Sequence, residues 1–241
     1  MSFLPERIRV LFWDIDGTVL NFEASERAAI RKGFETMHLG ECTEEMLRDY
    51  SAINLRYWKR LERGELTKPE ILTLRFREFF GKYGLDTGCV EAFNAQYQLD
   101  LGDTICFHDD AFSLLSALRR RYRQYAVTNG TAAAQHRKLE RGGLKAILDG
   151  WFISDELGAE KPSPLFFERA LERVRAQLGP VEREEVLVIG DSLTSDMRGG
   201  ENAGIPTCWY NPGGGENTTG VRVDREIRDL RELPGILGYP I

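Results

Sequence analysis

The chain has 241 residues, of which 42% are hydrophobic and 29% are charged, an ordinary balance for a folded globular protein. Its 38 acidic residues outnumber the 32 Lys and Arg residues, so the net charge is −6 and a broad basic surface for nucleic acid is excluded. The longest apolar runs have four residues, far fewer than the about twenty that a membrane-spanning helix needs, and no membrane partner is expected.

One predicted strand and a long helical region make up the first 100 residues. Residues 8–13 are mostly apolar, which predicts a buried strand, and the polar turn 14–18 follows it. From 21 to 100 the apolar residues follow helical spacing and no strand pattern occurs. One such stripe consists of Met46, Tyr50, Ile53, Tyr57 and Leu61. Thr67 and Glu70 have the spacing of a capping box, which predicts the start of a helix.

After residue 105 short strands alternate with helices. The strands are predicted at 124–128, 151–154, 186–189 and 206–210, and the helices near 109–121, near 132–142, from 163 onward and near 195–203. Such alternation is typical of a parallel sheet with helical crossovers. The sequence therefore predicts an α/β fold whose first crossover is interrupted by a helical insertion. In this interpretation residues 1–20 and 101–241 form the core, and residues 21–100 form an all-helical cap domain.

Four aspartates follow two of the predicted strands at the points where the strands end. Asp14 and Asp16 come after the first strand, and Asp191 and Asp196 come after the strand at 186–189. Because ligands of open parallel sheets bind at the carboxyl ends of the strands, we expect these carboxylates to share one crevice. Carboxylates without a His or Cys pairing favour a hard divalent cation, Mg²⁺ before Ca²⁺. Each pair by itself is also compatible with a solvated turn or a helix cap.

Three further polar residues are predicted at the same edge of the sheet. Thr128 and Asn129 end the strand at 124–128 and offer a hydroxyl and an amide to phosphate oxygens, although such residues are also common in ordinary turns. Lys161 precedes the helix that begins at 163 and supplies a positive charge, although lone lysines usually lie at the surface. A carboxylate beside Mg²⁺ can attack phosphorus and form an aspartyl-phosphate that water then hydrolyses. The combination of residues therefore favours phosphoryl chemistry.

Four motifs resemble those of the haloacid dehalogenase superfamily. They are Asp-x-Asp-Gly-Thr at 14–18, Thr-Asn-Gly at 128–130, Lys-Pro at 161–162 and Gly-Asp-Ser-x-x-x-Asp at 190–196, in this order. The resemblance spans essentially the whole chain. It implies a Rossmann-like core with an inserted cap and, as in most members, a Mg²⁺-dependent phosphatase activity on a small-molecule phosphomonoester.

This resemblance implies a role for each catalytic and substrate-binding residue. Asp14 would be the nucleophile that forms the aspartyl-phosphate. Asp16 would protonate the leaving oxygen and then act as a base on the incoming water. Thr128 and Asn129 would hold the phosphoryl oxygens, and Lys161 would offset the negative charge of the phosphate and of Asp14.

The same resemblance implies a set of metal ligands. Mg²⁺ would be bound by the carboxylates of Asp14 and Asp191 and by the backbone carbonyl of Asp16. Asp196 would either bind the ion directly or support a residue that does. No His or Cys enters this set, in agreement with the preference of Mg²⁺ for oxygen ligands.

Longer segments are similar to a bacterial branch of pyrimidine 5′-nucleotidases within the superfamily. These segments are Leu20-Asn21-Phe22 with Glu26, Asn129-Gly130 with Gln135-x-x-Lys138-Leu139-Glu140, residues 153–158 and residues 202–211. The similarity implies a 5′-nucleotidase that removes phosphate from a nucleoside 5′-monophosphate such as UMP, dUMP or dTMP. Two alternatives stay open: a phosphatase of another metabolite, such as phosphoglycolate or a sugar phosphate, and a catalytically silent phosphate-binding regulatory protein.

Two other activities of the superfamily fit the residues less well. Dehalogenases typically lack the second aspartate and the metal, so Asp16, Asp191 and Asp196 argue against carbon–halogen chemistry. Hexose-phosphate mutases carry a further Asp and His shortly after the first motif, where this chain has Asn21-Phe22-Glu23.

Aromatic residues of the helical region are predicted to pack in its interior. Tyr57, Trp58, Phe76 and Phe80 have helical spacing, which is typical of a core, although one of them or Phe22 could face the substrate. The glycine-rich segment 213–216 lacks the spacing of a dinucleotide-binding motif and is interpreted as a surface loop.

The cysteines and the first residues bear on the cellular compartment. The four cysteines are scattered and form no Cys-x-x-Cys pair, which is typical of free thiols in a reducing compartment. The first residues contain no hydrophobic signal-peptide stretch. We therefore expect a cytoplasmic protein, present as a monomer or a homodimer.

Overall fold

A parallel sheet of six strands forms the centre of the protein, and the computed structural model describes residues 3–239 of the chain. The strands are Val10–Trp13 (β1), Arg123–Thr128 (β2), Gly150–Ile153 (β3), Val186–Gly190 (β4), Thr207–Tyr210 (β5) and Arg225–Ile227 (β6). Their order in the sheet is β3-β2-β1-β4-β5-β6, and every neighbouring pair is parallel. The predicted α/β fold class is confirmed.

The α-helices fall into two groups along the chain, one between β1 and β2 and one after β2. Between β1 and β2 lie Phe22–Thr36 (α1), Glu44–Glu62 (α2), Lys68–Lys82 (α3), Val90–Asp103 (α4) and Ala111–Leu118 (α5). After β2 come Ala132–Arg141 (α6), Ser154–Leu157 (α7), Pro164–Leu178 (α8), Arg198–Ala203 (α9) and Leu233–Ile236 (α10), with a π-helical turn over Leu193–Met197 before α9. Residues 3–239 contain no helix with both the length and the apolar character that crossing a bilayer requires.

Both faces of the sheet are covered, which explains why the central strands are apolar throughout. Successive residues of a strand point to opposite faces. In β1, Leu11 and Trp13 therefore join the hydrophobic cluster on one face, whereas Val10 and Phe12 join the cluster on the other. An uninterrupted apolar run is the expected pattern for a parallel strand buried in this way.

The helices α1 to α4 share a third hydrophobic cluster of their own. The predicted stripe of α2 is confirmed, because all five of its residues are buried in this cluster. The ring of Phe76 lies at its centre, 5.0 Å from the ring centroids of both Tyr50 and Phe93. The predicted capping box of α3 is also confirmed, since the backbone N–H and the hydroxyl of Thr67 both donate to Glu70 at 2.7 Å.

The two chain segments that lead into and out of α1–α4 run side by side. The backbone N–H of Asn21 donates to the carbonyl of Cys106 at 2.8 Å, and that of His108 donates to the carbonyl of Val19 at 3.1 Å. The hydroxyl of Ser25 also donates to the carbonyl of Thr104 at 2.9 Å. The entry and the exit of the helical region are thus joined directly to each other.

Several predicted boundaries differ from the structure, and one strand was not predicted. The strand expected at 151–154 ends at residue 153, because Ser154 begins the short helix α7. The helix expected near 109–121 covers only residues 111–118, preceded by two aspartates with positive φ angles. The helix expected near 195–203 is a π-helical turn followed by α9. The unpredicted strand β6 has three residues, of which only Ile227 is buried, so it carries almost no apolar signal.

Candidate active site

A cleft of about 640 Å³ lies at the carboxyl ends of β1 and β4. The connections from these neighbouring strands continue in opposite directions along the sheet, and a crevice forms at such a switch point in α/β folds. One wall of the cleft is the sheet edge, with Asp14 and Asp191, and the opposite wall is formed by α1 and α2, with Phe22 and Trp58. All seven residues predicted for the site line this cleft.

The ammonium group of Lys161 lies at the floor of the cleft between two aspartates. Its Nζ is 2.8 Å from Asp14 Oδ1 and 2.6 Å from Asp196 Oδ1, and it also donates to the carbonyl of Val127 at 2.8 Å. Burial by itself lowers the pKa of a lysine, but here the two carboxylates outweigh burial and raise the pKa of Lys161. The lysine is therefore a permanent positive charge at the base of the cleft.

The turn after β1 brings Asp191 next to Asp14. The hydroxyl of Thr18 is 3.1 Å from Asp14 Oδ2 and 3.3 Å from Asp191 Oδ1, so it contacts both carboxylates. Gly17 in this turn has a φ of +99°, and a Cβ there would lie 2.7 Å from Asp191 Oδ2. The turn accepts only glycine at this position, because any side chain would meet both a strained backbone and the carboxylate.

Three carboxylates crowd together at this point. One oxygen atom each of Asp14, Asp191 and Asp196 lies within 4.8 Å of the others. Burial raises the pKa of Asp14 well above its ordinary value and the pKa of Asp191 to about 7, and the neighbouring carboxylates raise both further. Among residues 3–239, Lys161 is the one cation in salt-bridge contact with this group, a single positive charge for three carboxyl groups. An all-oxygen donor set with this excess of charge suits a hard divalent cation such as Mg²⁺.

Asn129 and Thr128 stand beside Lys161 at the end of β2. The side chain of Asn129 pairs with the backbone of Lys161 in both directions, since Oδ1 accepts from its N–H at 2.8 Å and Nδ2 donates to its carbonyl at 2.7 Å. The hydroxyl of Thr128 accepts from the N–H of Gly130 at 3.1 Å. The amide of Asn129 therefore fixes the segment that carries Lys161.

The side chain of Asp16 contacts helix α6 and lies outside the cluster of three carboxylates. Its Oδ2 accepts from Gln135 Nε2 at 2.6 Å, and its Oδ1 forms an ion pair with Lys138. Thr18, Gln135 and Lys138 were assigned no role by the sequence motifs. Gln135 and Lys138 have the spacing of neighbours on one helix face directly after the 128–130 segment, and this was the available signal.

Buried polar side chains form part of the cleft wall opposite Asp14. The carboxylate of Glu26 accepts from the hydroxyl of Ser51 and, at 2.7 Å, from Asn54 Nδ2. Asn54 Oδ1 in turn accepts from Arg75 Nη1 at 2.6 Å. Beside them, Trp58 is half-buried: it packs against the hydrophobic cluster of α1–α4 and also lines the cleft, which is the alternative that the sequence left open.

Comparison with known proteins relates the whole chain to one enzyme family. Residues 8–204 match the family model of the haloacid dehalogenase-like hydrolases. The chain is 35% identical over 228 residues to the pyrimidine 5′-nucleotidase PynA of Streptococcus pneumoniae, covering 93% of each chain. It is 34% identical over 233 residues to the pyrimidine 5′-nucleotidase YjjG of Escherichia coli, covering 94% of this chain and 96% of YjjG.

A solved structure is similar over the same extent. The crystal structure of the HAD-hydrolase YfnB of Bacillus subtilis, 35% identical in sequence, superposes with a TM-score of 0.87 and covers 96% of this chain and 99% of that chain. It is described as bound to magnesium and as revealing interdomain movement.

Proposed function

The chain belongs to the haloacid dehalogenase-like hydrolase family, and on that basis we propose that it is a Mg²⁺-dependent phosphomonoesterase acting on nucleoside 5′-monophosphates, chiefly those of pyrimidines. The observation that carries the proposal is the contact of the Asp14 carboxylate with Lys161 on one side and with Thr18 on the other. A buried carboxylate oriented in this way at the end of a cleft is suited to nucleophilic attack.

In the first step a carboxylate oxygen of Asp14 attacks phosphorus, and the bond between phosphorus and the nucleoside oxygen breaks. The carboxyl group of Asp16 donates its proton to that oxygen, which leaves as the neutral nucleoside. The ammonium of Lys161 and the hydroxyl of Thr128 stabilise the charge on the phosphoryl oxygens. The step ends with an aspartyl-phosphate at Asp14 and an ionised Asp16.

In the second step water attacks the phosphorus of the aspartyl-phosphate. Asp16 takes a proton from this water, and the bond between phosphorus and the Asp14 oxygen breaks. Inorganic phosphate leaves, Asp14 is again a free carboxylate, and Asp16 again carries a proton. One residue therefore serves as acid and then as base, as a two-step displacement requires.

The carboxylates at the cleft would hold the metal ion. We assign Asp14, Asp191 and the backbone carbonyl of Asp16 as its ligands. Asp196 stands beside them, and its two oxygens already accept from Lys161 and, at 3.1 Å, from the N–H of Ser192. When bound, Mg²⁺ would supply positive charge that lets the anionic nucleophile approach the anionic phosphate.

The helices α1–α4 would serve as a cap domain over the core, with the division at residues 21 and 100 that the sequence suggests. Their separate hydrophobic cluster, which includes Leu101, and the continuation of α4 to Asp103 support a cap that ends just after this boundary, and the interdomain movement described for YfnB supports two separate units. In this arrangement Phe22 and Trp58 face the nucleoside and help to keep water out.

A phosphate-release screen tests the proposed function. Nucleoside monophosphates, sugar phosphates and phosphoglycolate are compared by kcat/KM with Mg²⁺ and with EDTA, and the Asp14→Asn variant is the control. We expect a pyrimidine nucleotide to be the best substrate, EDTA to stop turnover and Asp14→Asn to abolish it. A sugar phosphate preferred over every nucleotide would refute the substrate class. Hydrolysis of none of them would favour a silent phosphate-binding protein.

A further inference from the structure

Helix α6 holds the carboxylate of Asp16 on both of its oxygens. Lys138 pairs with Oδ1, and Gln135 Nε2 donates to Oδ2 at 2.6 Å. We propose that Gln135 and Lys138 are positioning residues, which aim the carboxyl group of Asp16 at the leaving oxygen. The proposal rests on the proposed function, in which Asp16 transfers the proton.

Lys138 pairs with Asp16 because its surroundings contain few other groups that can stabilise a buried positive charge. Its side chain is fully buried, and among residues 3–239 Asp16 is the one carboxylate within salt-bridge distance of it. The ring of Phe22, the first residue of α1, lies 5.3 Å from its Nζ. Losing the partner of a buried charge costs much more than losing a surface pair, so the lysine strongly favours this one orientation of Asp16.

Gln135 adds a second contact to the same carboxyl group. Its Nε2 donates to Asp16 Oδ2, whereas its Oε1 is buried and has no hydrogen-bond partner among residues 3–239. A buried acceptor without a partner is costly in most proteins. The contact of Gln135 with Asp16 is one that an apolar side chain of similar size could not make.

Gly130 provides the space that Gln135 occupies. A Cβ at this position would lie 2.1 Å from Gln135 Nε2 and 2.8 Å from two further atoms of the same side chain. The φ of Gly130 is not in the positive range, so the backbone conformation alone does not require glycine here. Glycine is required here because a larger residue would collide with the side chain of Gln135. This close contact links the 128–130 segment to Asp16 through Gln135.

Two substrates whose leaving groups differ in their need for a proton test the proposal. A nucleoside oxygen needs a proton as it departs, whereas p-nitrophenolate is stable without one. We compare single-turnover release of the leaving group from UMP and from p-nitrophenyl phosphate in Gln135→Leu and Lys138→Met. We expect release from UMP to fall about 100-fold and release from p-nitrophenyl phosphate to fall by no more than about threefold. The control is His136→Ala, on the exposed side of α6, which should change neither rate.

A double-mutant cycle tests the link through Gly130. In the wild-type background, Gly130→Ala should slow release of the leaving group from UMP but hardly change release from p-nitrophenyl phosphate. In a Gln135→Ala background, Gly130→Ala should cause no further loss of the rate with UMP. An equal effect of Gly130→Ala in both backgrounds would overturn the link. Equal losses with the two substrates, or no loss, in Gln135→Leu and Lys138→Met would overturn the positioning role. Failure of the wild-type protein to hydrolyse either substrate would instead refute the proposed function.

Discussion

Lys161 Nζ lies 2.8 Å from Asp14 Oδ1, although 147 positions separate the two residues in the chain. Both groups are buried, and each is the principal neighbour of opposite charge for the other. Their contact joins the end of β1 to the segment before α8, so the same ion pair serves the proposed chemistry and the packing of the core.

Replacing this lysine should reduce both stability and activity. In Lys161→Met the buried carboxylates of Asp14 and Asp196 lose their cation, and we expect the free energy of unfolding without Mg²⁺ to fall by about 3–5 kcal/mol. Activity should fall at least about 100-fold. Urea unfolding and steady-state kinetics measure the two effects. The matched control is Lys145→Met, since Lys145 pairs with Glu140 at the surface, and there we expect little change.

The turn at Gly17 should be more sensitive than a glycine of similar backbone conformation elsewhere. Gly17 and Gly40 have φ angles of +99° and +90°, but a Cβ at Gly40 would meet no atom of residues 3–239 within 4 Å. Gly17→Ala and Gly40→Ala should each lower stability by about 1 kcal/mol or more through backbone strain. Only Gly17→Ala should also abolish turnover, because its Cβ displaces Asp191. Thermal melting and turnover of both variants separate the two effects, and equal activity of both would contradict the steric explanation.

Two aromatic residues of the helical region should respond in opposite ways. Phe76 is fully buried among other rings, so Phe76→Ala should lower the free energy of unfolding by about 3–5 kcal/mol. Trp58 lines the cleft and is only partly buried against the hydrophobic cluster of α1–α4, so Trp58→Ala should cost much less stability than Phe76→Ala but raise KM for UMP about tenfold. KM for p-nitrophenyl phosphate, which has no nucleoside, should change less. A uniform rise for both substrates would show that Trp58 does not contact the nucleoside.

Magnesium alone should stabilise the protein against heat. A ligand present at 100 times its dissociation constant adds about 2.7 kcal/mol to the stability of the folded state, which corresponds to an increase in Tm of about 5–10 °C for a chain of this size. Asp191→Asn should lose this increase, whereas Asp49→Asn, whose carboxylate pairs with Lys82 on the surface of α2, should keep it. An unchanged increase in Asp191→Asn would place the ion elsewhere.

The fold and the family could be predicted because their signals are local. The apolar run of β1, the stripe of α2 and the capping box of α3 each depend on neighbouring residues, and each is confirmed. The strand β6 could not be predicted, because it has only three residues, two of them charged and exposed.

The side-chain contacts of the site were harder to predict, because they depend on how whole elements are oriented. The spacing of Gln135 and Lys138 showed that they share a face of α6, but not that this face contacts Asp16. In the same way, Trp58 on α2 and Phe76 on α3 both have helical spacing in the sequence. Only the structure shows that Trp58 lines the cleft, whereas Phe76 lies inside the hydrophobic cluster of α1–α4.

The paired segments that connect α1–α4 to the rest of the chain restrict how these helices can move. Because Asn21 is bonded to Cys106, and His108 to Val19, neither segment can swing without carrying the other with it. Any movement of α1–α4 relative to the sheet would therefore have to involve both connecting segments together, and it would carry Phe22 and Trp58 jointly toward or away from Asp14.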